Sequence, residues 1–243
     1  MSGHRNYVRW GLVTLVLIFG AGAFLWFLYP VPNLKEWQKG PPPRLWASAE
    51  RQKQVWQGDV GRLQFVYCPL EEMSEHLLVA VLVAEDINFF RHRGIDLSAW
   101  PEVFRQWKAG HRLRGASTLT QQLAKNLFLS PRRSLGRKLR ELRLAWLLEK
   151  QLGKRRILEL YLNLVEFGPG LYGAQAAAQA YFNCLAAELT LEQAASLAAA
   201  IPAPSQDNPK TCSARFRARR AVILRRAAKA SWLYALAKQV KAR

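Results

Sequence analysis

Glu85-Asp86-Ile87-Asn88-Phe89-Phe90-Arg91-His92-Arg93-Gly94-Ile95-Asp96, followed by Gly115-Ala116-Ser117-Thr118-Leu119-Thr120-Gln121-Gln122-Leu123-Ala124-Lys125-Asn126, is the stretch on which the reading of this chain turns. Acidic, amide, hydroxyl and cationic side chains crowd it, although its flanks read as apolar helix. Burying a polar group costs free energy unless the group finds a partner. A core has no use for so many of them, so a ligand is the natural reason for their presence.

Working outward, residues 76–84 read as an apolar helix that delivers Glu85 at its C-terminal end. Residues 118–129 open with Thr118-x-x-Gln121, the pattern of a capping box. On that helix Leu119, Leu123 and Phe128 face one way. Thr118, Gln122 and Lys125 recur at i, i+4 and i+7 on another face, and a polar stripe bordered by Leu suggests a groove. Ser130-Pro131 stops the helix, and a second is expected over 134–152 with Leu135, Leu139, Leu142 and Trp146 as its apolar stripe. Arg137 and Glu141 lie four apart beside that stripe, with Lys138 next to them. Gly153 is expected to break the run before a helix over 155–163, which the loop Phe167-Gly168-Pro169-Gly170 ends. Gly168, Gly170 and Gly173 read as a turn with no strand before it, not as a dinucleotide fingerprint. Helices follow over 174–182 and 191–200, the latter capped by Thr190 with Gln193 at the third position, and a basic helix runs over 216–240. The fold class is mainly α, with weak strand character only at 63–67 and no internal repeat.

At 243 residues, half of them hydrophobic, the chain can build one medium domain with an appendage. The net charge of +19 is uneven: 132–156 is dense in Lys and Arg, and no acid follows Asp207. Such a field favours anionic partners such as nucleic acid, lipid headgroups or a phosphorylated substrate. No charge interrupts residues 10–34, which is long enough for a helix to cross the roughly 30 Å hydrocarbon core. His4, Arg5 and Arg9 precede it without an acid, so the N-terminus is expected in the cytoplasm. The expected organisation is a cytoplasmic tail 1–9, an anchor 10–34, a proline-stiffened connector 35–69, a catalytic domain 70–210 and a basic helical segment 211–243. A signal peptide cut after Ala21-Gly22-Ala23 ranks second, because Phe24-Leu25-Trp26-Phe27-Leu28 continues the apolar run. A buried soluble helix ranks third, since no polar face is present. Cys68, Cys184 and Cys212 show no metal spacing and read as small buried apolar residues.

Two carboxylates stand out: Glu85 after its apolar helix and Glu141 among cations. Glycosyl transfer or hydrolysis asks for such a pair, one to move a proton and one to manage charge as the anomeric centre becomes cationic. Apolar surroundings would raise the Glu85 pKa toward a useful base, and cations around Glu141 would favour its charged form. Lys125, Arg137 and Lys138 suit a phosphate or pyrophosphate, the arginine as a planar fork and the lysines as point charges. The runs Arg132-Arg133 and Arg155-Arg156 read instead as solvated faces. His92 has no second ligand at metal spacing.

The assembled segments resemble the peptidoglycan glycosyltransferases (glycosyltransferase family 51). Glu85-Asp86-x-x-Phe89-x-x-His92-x-Gly94-x-Asp96 looks like the first family motif, and Gly115-x-Ser117-Thr118-x-Thr120-Gln121-Gln122-Leu123-x-Lys125-Asn126 like the second. Arg137-Lys138-x-x-Glu141 resembles the third. Ile157-Leu158-Glu159-x-Tyr161-Leu162-Asn163, with the glycine turn and Ala177-Ala178-x-x-Tyr181-Phe182, resembles the fourth, and Ile201-Pro202-Ala203-Pro204-Ser205 stands where the last is expected. Coverage runs from about residue 77 to residue 209. The resemblance implies a lysozyme-like helical lobe with a smaller membrane-associated jaw. It also implies polymerisation of lipid II into β-1,4-linked glycan by inverting transfer, with release of lipid pyrophosphate. By motif position Glu85 would be the general base, and Glu141, Lys125 and Arg137 would serve the pyrophosphate. Asp86, His92, Ser117, Thr118, Gln122, Asn126 and Lys138 would complete the substrate site. No cofactor is required; a divalent cation (Mg or Mn) is an option beside the pyrophosphate. With little chain after the last motif, the expected branch is the one without a transpeptidase domain.

The expected partners are lipid II, the growing strand, membrane lipids and cell-wall synthesis proteins, at the bacterial inner membrane with the catalytic domain periplasmic. A muramidase that cleaves glycan is the rival enzyme, although a neutral glycosidic bond needs no cations at its leaving group. A non-enzymatic basic module is the rival without chemistry. Nucleic acid is not expected, because the basic patches lack interleaved aromatics for base stacking.

Overall fold

A computed structural model describes residues 32–42, 64–99, 117–130 and 134–242, with isolated positions at 10, 14, 20, 101, 105, 108 and 132. Seven helices are used below: α1 (Glu75–Glu85), α2 (Leu119–Phe128), α3 (Leu135–Leu164), α4 (Ala174–Phe182), α5 (Leu191–Ala200), α6 (Ala214–Ala228) and α7 (Ser231–Lys241). A small sheet of β1 (Gln64–Phe65), β2 (Glu166–Gly168) and β3 (Leu171–Tyr172) has the order β1-β3-β2, with β1 parallel and β2 antiparallel to β3. Mainly α is therefore the architecture.

α1 is the axis of the fold. Ser74 caps it by accepting from the His76 N–H, and Leu77 through Val83 are all buried. A helix apolar on every side belongs inside, and α5, α6 and α7 all pack against it. Its last residue is Glu85, so the core itself aims the carboxylate. α2 lies along α3. Thr118 accepts from the Gln121 N–H as expected, but the reciprocal half of the capping box is not made: the Gln121 amide donates to the Gly94 carbonyl. At α5 the box closes both ways between Thr190 and Gln193.

The break expected at Gly153 is present: its φ of 72° and ψ of 168° are not helical, so two helical stretches meet there at a kink within α3. Several expectations change. The apolar stripe expected on α3 faces outward: Leu135 is 88% exposed, and Leu139 and Trp146 are also exposed. The inner face carries Glu141, Leu144, Ala145 and Leu148, a second apolar face hidden by the richness of the helix in leucine. A three-residue strand does precede the glycine turn, and the basic C-terminal run is two helices broken at Lys229-Ala230. α6 is packed onto the domain: Phe216, Ile223 and Ala227 are buried where it meets α1 and α5. Cys68 is buried as expected, whereas Cys184 is half-buried and Cys212 exposed.

Arg156 corrects the assignment of Arg155-Arg156 to a solvated face. It is buried, pairs with Glu159, and donates to the Trp37 carbonyl at 2.6 Å and the Gly40 carbonyl at 2.6 Å. Residues 34–40 are thus tied onto the domain through a short turn, Lys35–Trp37, with Trp37 buried, and do not form a free extended connector. Of the anchor 10–34 only Trp10, Thr14, Gly20 and residues 32–34 are described; the remainder and the tail 1–9 lie outside the described residues. Among the described residues no helix is long and apolar enough to cross a membrane.

Candidate active site

Beyond Glu85 the chain turns sharply, and Asp86 explains how the turn is fixed. Its carboxylate accepts from the Leu119 N–H at the start of α2 at 2.9 Å and faces His92 Nε2 at 3.0 Å. A carboxylate at a helix N-terminus is favoured by the exposed N–H groups there. The Gly94 N–H donates to His92 Nδ1, which leaves the Nε2 proton to face Asp86. Gly94 itself has φ of +87°, and a Cβ would stand 3.2 Å from the Ala145 backbone. Its carbonyl accepts from Thr118 Oγ1 at 2.6 Å and Gln121 Nε2 at 3.2 Å. The first motif is in this way fastened to the N-terminus of α2, and the bonding groups of Asp86, His92 and Thr118 are engaged in that fastening.

The fastening sets Gln122 opposite Glu85. Gln122 Nε2 donates to Glu85 Oε2 at 2.8 Å, and Tyr161 from α3 donates its hydroxyl to Gln122 Oε1 at 3.1 Å. Arg219 from α6 donates through Nη2 to Glu85 Oε1 at 2.6 Å. The Glu85 side chain is only 11% exposed. Burial pushes its carboxyl above the ordinary value, against the opposing pulls of the Gln122 hydrogen bond, Arg219 and Lys125. Burial likewise holds the Tyr161 phenol well above its ordinary value, and the Glu85 charge pushes the same way.

Glu141 is 3% exposed and is met by Arg137 Nη1 at 2.9 Å and Lys138 Nζ at 2.5 Å. Lys138 Nζ also reaches Ser117 Oγ at 3.2 Å and Gln121 Oε1 at 3.1 Å. Ser117 belongs to both clusters, because it also lines a cleft of about 800 Å³ with Glu85, Gln122, Pro202 and Arg219. α2 therefore bridges the two carboxylates, Gln122 toward Glu85 and Gln121 toward Lys138 beside Glu141. Lys125 and Asn126 lie half-buried on the same helix. A divalent cation does not fit at Glu141: both carboxylate oxygens are taken by cationic donors, and such an ion wants several oxygen ligands. Among the described residues no group of three or more His, Cys, Asp or Glu could hold a metal.

Sequence reasoning missed Arg219 and gave Tyr161 no role. Tyr161 sits in the fourth motif, where it reads as one more core aromatic. Arg219 is one arginine in a basic run, and only the cleft-facing spacing of Arg215, Arg219 and Arg226 on α6 could have singled it out.

A buried carboxylate in a cleft, joined through α2 to a second carboxylate wrapped in cations, is an arrangement suited to glycosyl transfer. The sequence profile of the Transglycosylase family matches residues 53–228, and the chain belongs to that family. It is 42% identical over 200 residues to the biosynthetic peptidoglycan transglycosylase of Ralstonia nicotianae, covering 81% of this chain and 85% of the relative. Identity to the protein of the same name from Cupriavidus pinatubonensis is 40% over 216 residues, 85% of this chain and 84% of the relative. Penicillin-binding protein 1A of Aquifex aeolicus is 37% identical over 221 residues, which is 89% of this chain but 30% of that protein.

Proposed function

We propose that the protein polymerises lipid II into β-1,4-linked glycan strands, with Glu85 as the general base. The observation that carries this is a carboxylate whose proton affinity is raised by burial, held by Gln122 in a cleft. Glu85 takes the proton of the acceptor 4-hydroxyl as that oxygen attacks the donor anomeric carbon from the face opposite the pyrophosphate. The bond to the pyrophosphate breaks with inversion. Lys125, Arg137 and Lys138 meet the charge left on the departing group, and Glu141 holds the last two in place. Ser117, Gln122 and Asn126 line the donor side, while Asp86, His92 and Thr118 shape it from behind.

The same reading takes residues 10–34 as a single-pass anchor in the bacterial cytoplasmic membrane, with the domain on the periplasmic side. The exposed row Leu135, Leu139 and Trp146, beside Arg140 and Arg143, supports a membrane-facing jaw on α3. Cell-wall synthesis proteins are the expected protein partners. The test is to incubate the protein and its Glu85→Gln variant with lipid II and, separately, with finished peptidoglycan. Polymer from the first, lost in the variant, is the expected result. Fragments released from the second would assign the protein to the muramidases instead.

A further inference from the structure

Both oxygens of Glu85 are engaged, Oε2 by Gln122 and Oε1 by Arg219. A general base must receive a proton on one of them from a hydroxyl within hydrogen-bond reach. Each oxygen keeps a lone pair for that hydroxyl, but a donor bonded to the oxygen opposes its protonation, so the base is stronger once one partner has withdrawn. Gln122 is buttressed from behind by buried Tyr161. Arg219 is held less firmly: its side chain is 35% exposed, and among the described residues its only other hydrogen bond is a 3.4 Å contact to the Ala84 carbonyl. Its Nε is buried and has no hydrogen-bond partner among the described residues. A buried donor left unmet is costly, and a guanidinium fork matches phosphate oxygens.

The surroundings point to the same ligand. Arg215, Arg219 and Arg226 recur along α6 at i, i+4 and i+11, with Val222 between, and all line the cleft that holds Glu85. The other acid lining it, Asp207, is already paired with Arg215. The row offers positive charge to whatever enters.

We propose that Arg219 is a positioning residue that clamps Glu85 until the pyrophosphate of a lipid-linked substrate competes for its guanidinium. The phosphate oxygens then take Nε and Nη2, and Oε1 is released to receive the acceptor proton. This rests on Glu85 being the base. Burial raises the carboxyl, and the Gln122 hydrogen bond, Arg219 and Lys125 pull it back only in part. Withdrawing the arginine removes one of those pulls, so a stronger base forms when substrate is in place. Among the described residues, Lys125 from α2 and the Tyr161 phenol from α3 also interact with the Glu85 charge, Arg215, Arg226 and Asp207 share its cleft, and none of them has to move.

The experiment uses the full chain in detergent. Inorganic pyrophosphate should shift the Arg219 Nε–H resonance of arginine-labelled protein, assigned with Arg219→Lys. Calorimetry should show pyrophosphate binding about tenfold weaker in Arg219→Gln, the worth of a charge-assisted hydrogen bond. Phosphatidylglycerol vesicles are the second arm; a shift with vesicles and none with pyrophosphate would assign the arginine to headgroups and overturn the clamp. The deciding measurement is the pH profile of lipid II polymerisation. The acid limb of kcat/KM reports the free enzyme and that of kcat the substrate complex. In Arg219→Gln the kcat/KM limb should move to higher pH while the kcat limb stays, and Arg219→Lys, which keeps the charge, should leave both near wild type. If both limbs move together, Arg219 stays on Glu85 through turnover and the clamp fails; if neither moves, it fails as well. Wild-type polymerisation by Glu85→Gln would instead sink the base assignment, a separate result.

Discussion

Tyr161 donates its hydroxyl to Gln122 Oε1 at 3.1 Å, and this contact decides which end of the amide faces Glu85. With Oε1 occupied, Nε2 is the end turned to the carboxylate, at 2.8 Å. Tyr161 is fully buried, so no solvent competes for the phenol. Tyr161→Phe keeps the packing and removes only the hydroxyl. We expect a modest loss of stability, about 1 kcal/mol for one hydrogen bond, with kcat down about tenfold as the Gln122 amide loses its fixed orientation. Thermal unfolding and steady-state polymerisation check the two numbers. An unchanged kcat would show that Gln122 keeps its orientation without the tyrosine.

Glu85 predicts a stability effect of definite sign. Its carboxyl is raised by burial above the value it has in the unfolded chain. The folded state then binds the proton more tightly. That contribution to stability is present below the ordinary carboxylate range and is lost as pH rises through the folded value. Glu85→Gln, an uncharged isostere, escapes the loss. Its melting temperature relative to wild type should therefore be higher near about pH 8 than near about pH 4. A difference that does not change with pH would mean that burial does not penalise the charged carboxylate.

Much of this site is legible in the sequence because local chemistry writes it there. An apolar run that ends in Glu85 makes a core helix with a polar tip, and the polar face of α2 survives in the Gln122–Glu85 bond. What is not legible is who pays for each charge. Arg219 reaches Glu85 across 134 positions, and no local pattern encodes that meeting. Local counting fails in another way on α3, where two faces both carry leucines. The stripe with Leu135, Leu139 and Trp146 looks like the buried one, yet the face bearing Glu141 goes inward because Arg137 and Lys138 compensate the charge. The polar density of the first motif divides in the same manner. Glu85 faces the cleft, whereas Asp86 and His92 are consumed in holding the backbone.

Glu141 is predicted to matter for folding as well as for transfer. Removing one partner of a buried ion pair leaves the other uncompensated, at a cost of about 3–5 kcal/mol. Glu141→Ala strands Arg137, whose side chain is itself mostly buried, and should show that loss in denaturant unfolding. Lys138 is more exposed, and Lys138→Met should cost about 1 kcal/mol or less. The same substitution removes the contacts to Ser117 and Gln121 and a charge that meets the departing group, so kcat should fall and the KM for lipid II should rise. A Lys138 variant with unchanged kinetics would take this residue out of the donor site.

Asn163 offers a contrasting case, a polar motif residue whose work is mechanical. Its Oδ1 accepts from the Cys68 N–H at 2.9 Å, and its Nδ2 donates to the Cys68 carbonyl at 2.8 Å. One side chain thus satisfies both backbone groups of a buried residue, just after β1 and just before α1. Asn163→Ala leaves that N–H and C=O unmet, each at about 1–3 kcal/mol. Asn163→Asp keeps an acceptor for the N–H but turns a second oxygen on the Cys68 carbonyl, so it should be no more stable than the alanine variant. Both should unfold at clearly lower denaturant concentration. The molecules that remain folded should turn over near the wild-type rate, since neither change reaches the cleft. If Asn163→Ala kept its stability and lost kcat instead, Asn163 would belong with Glu85 and Gln122 in the chemistry rather than in the frame that carries them.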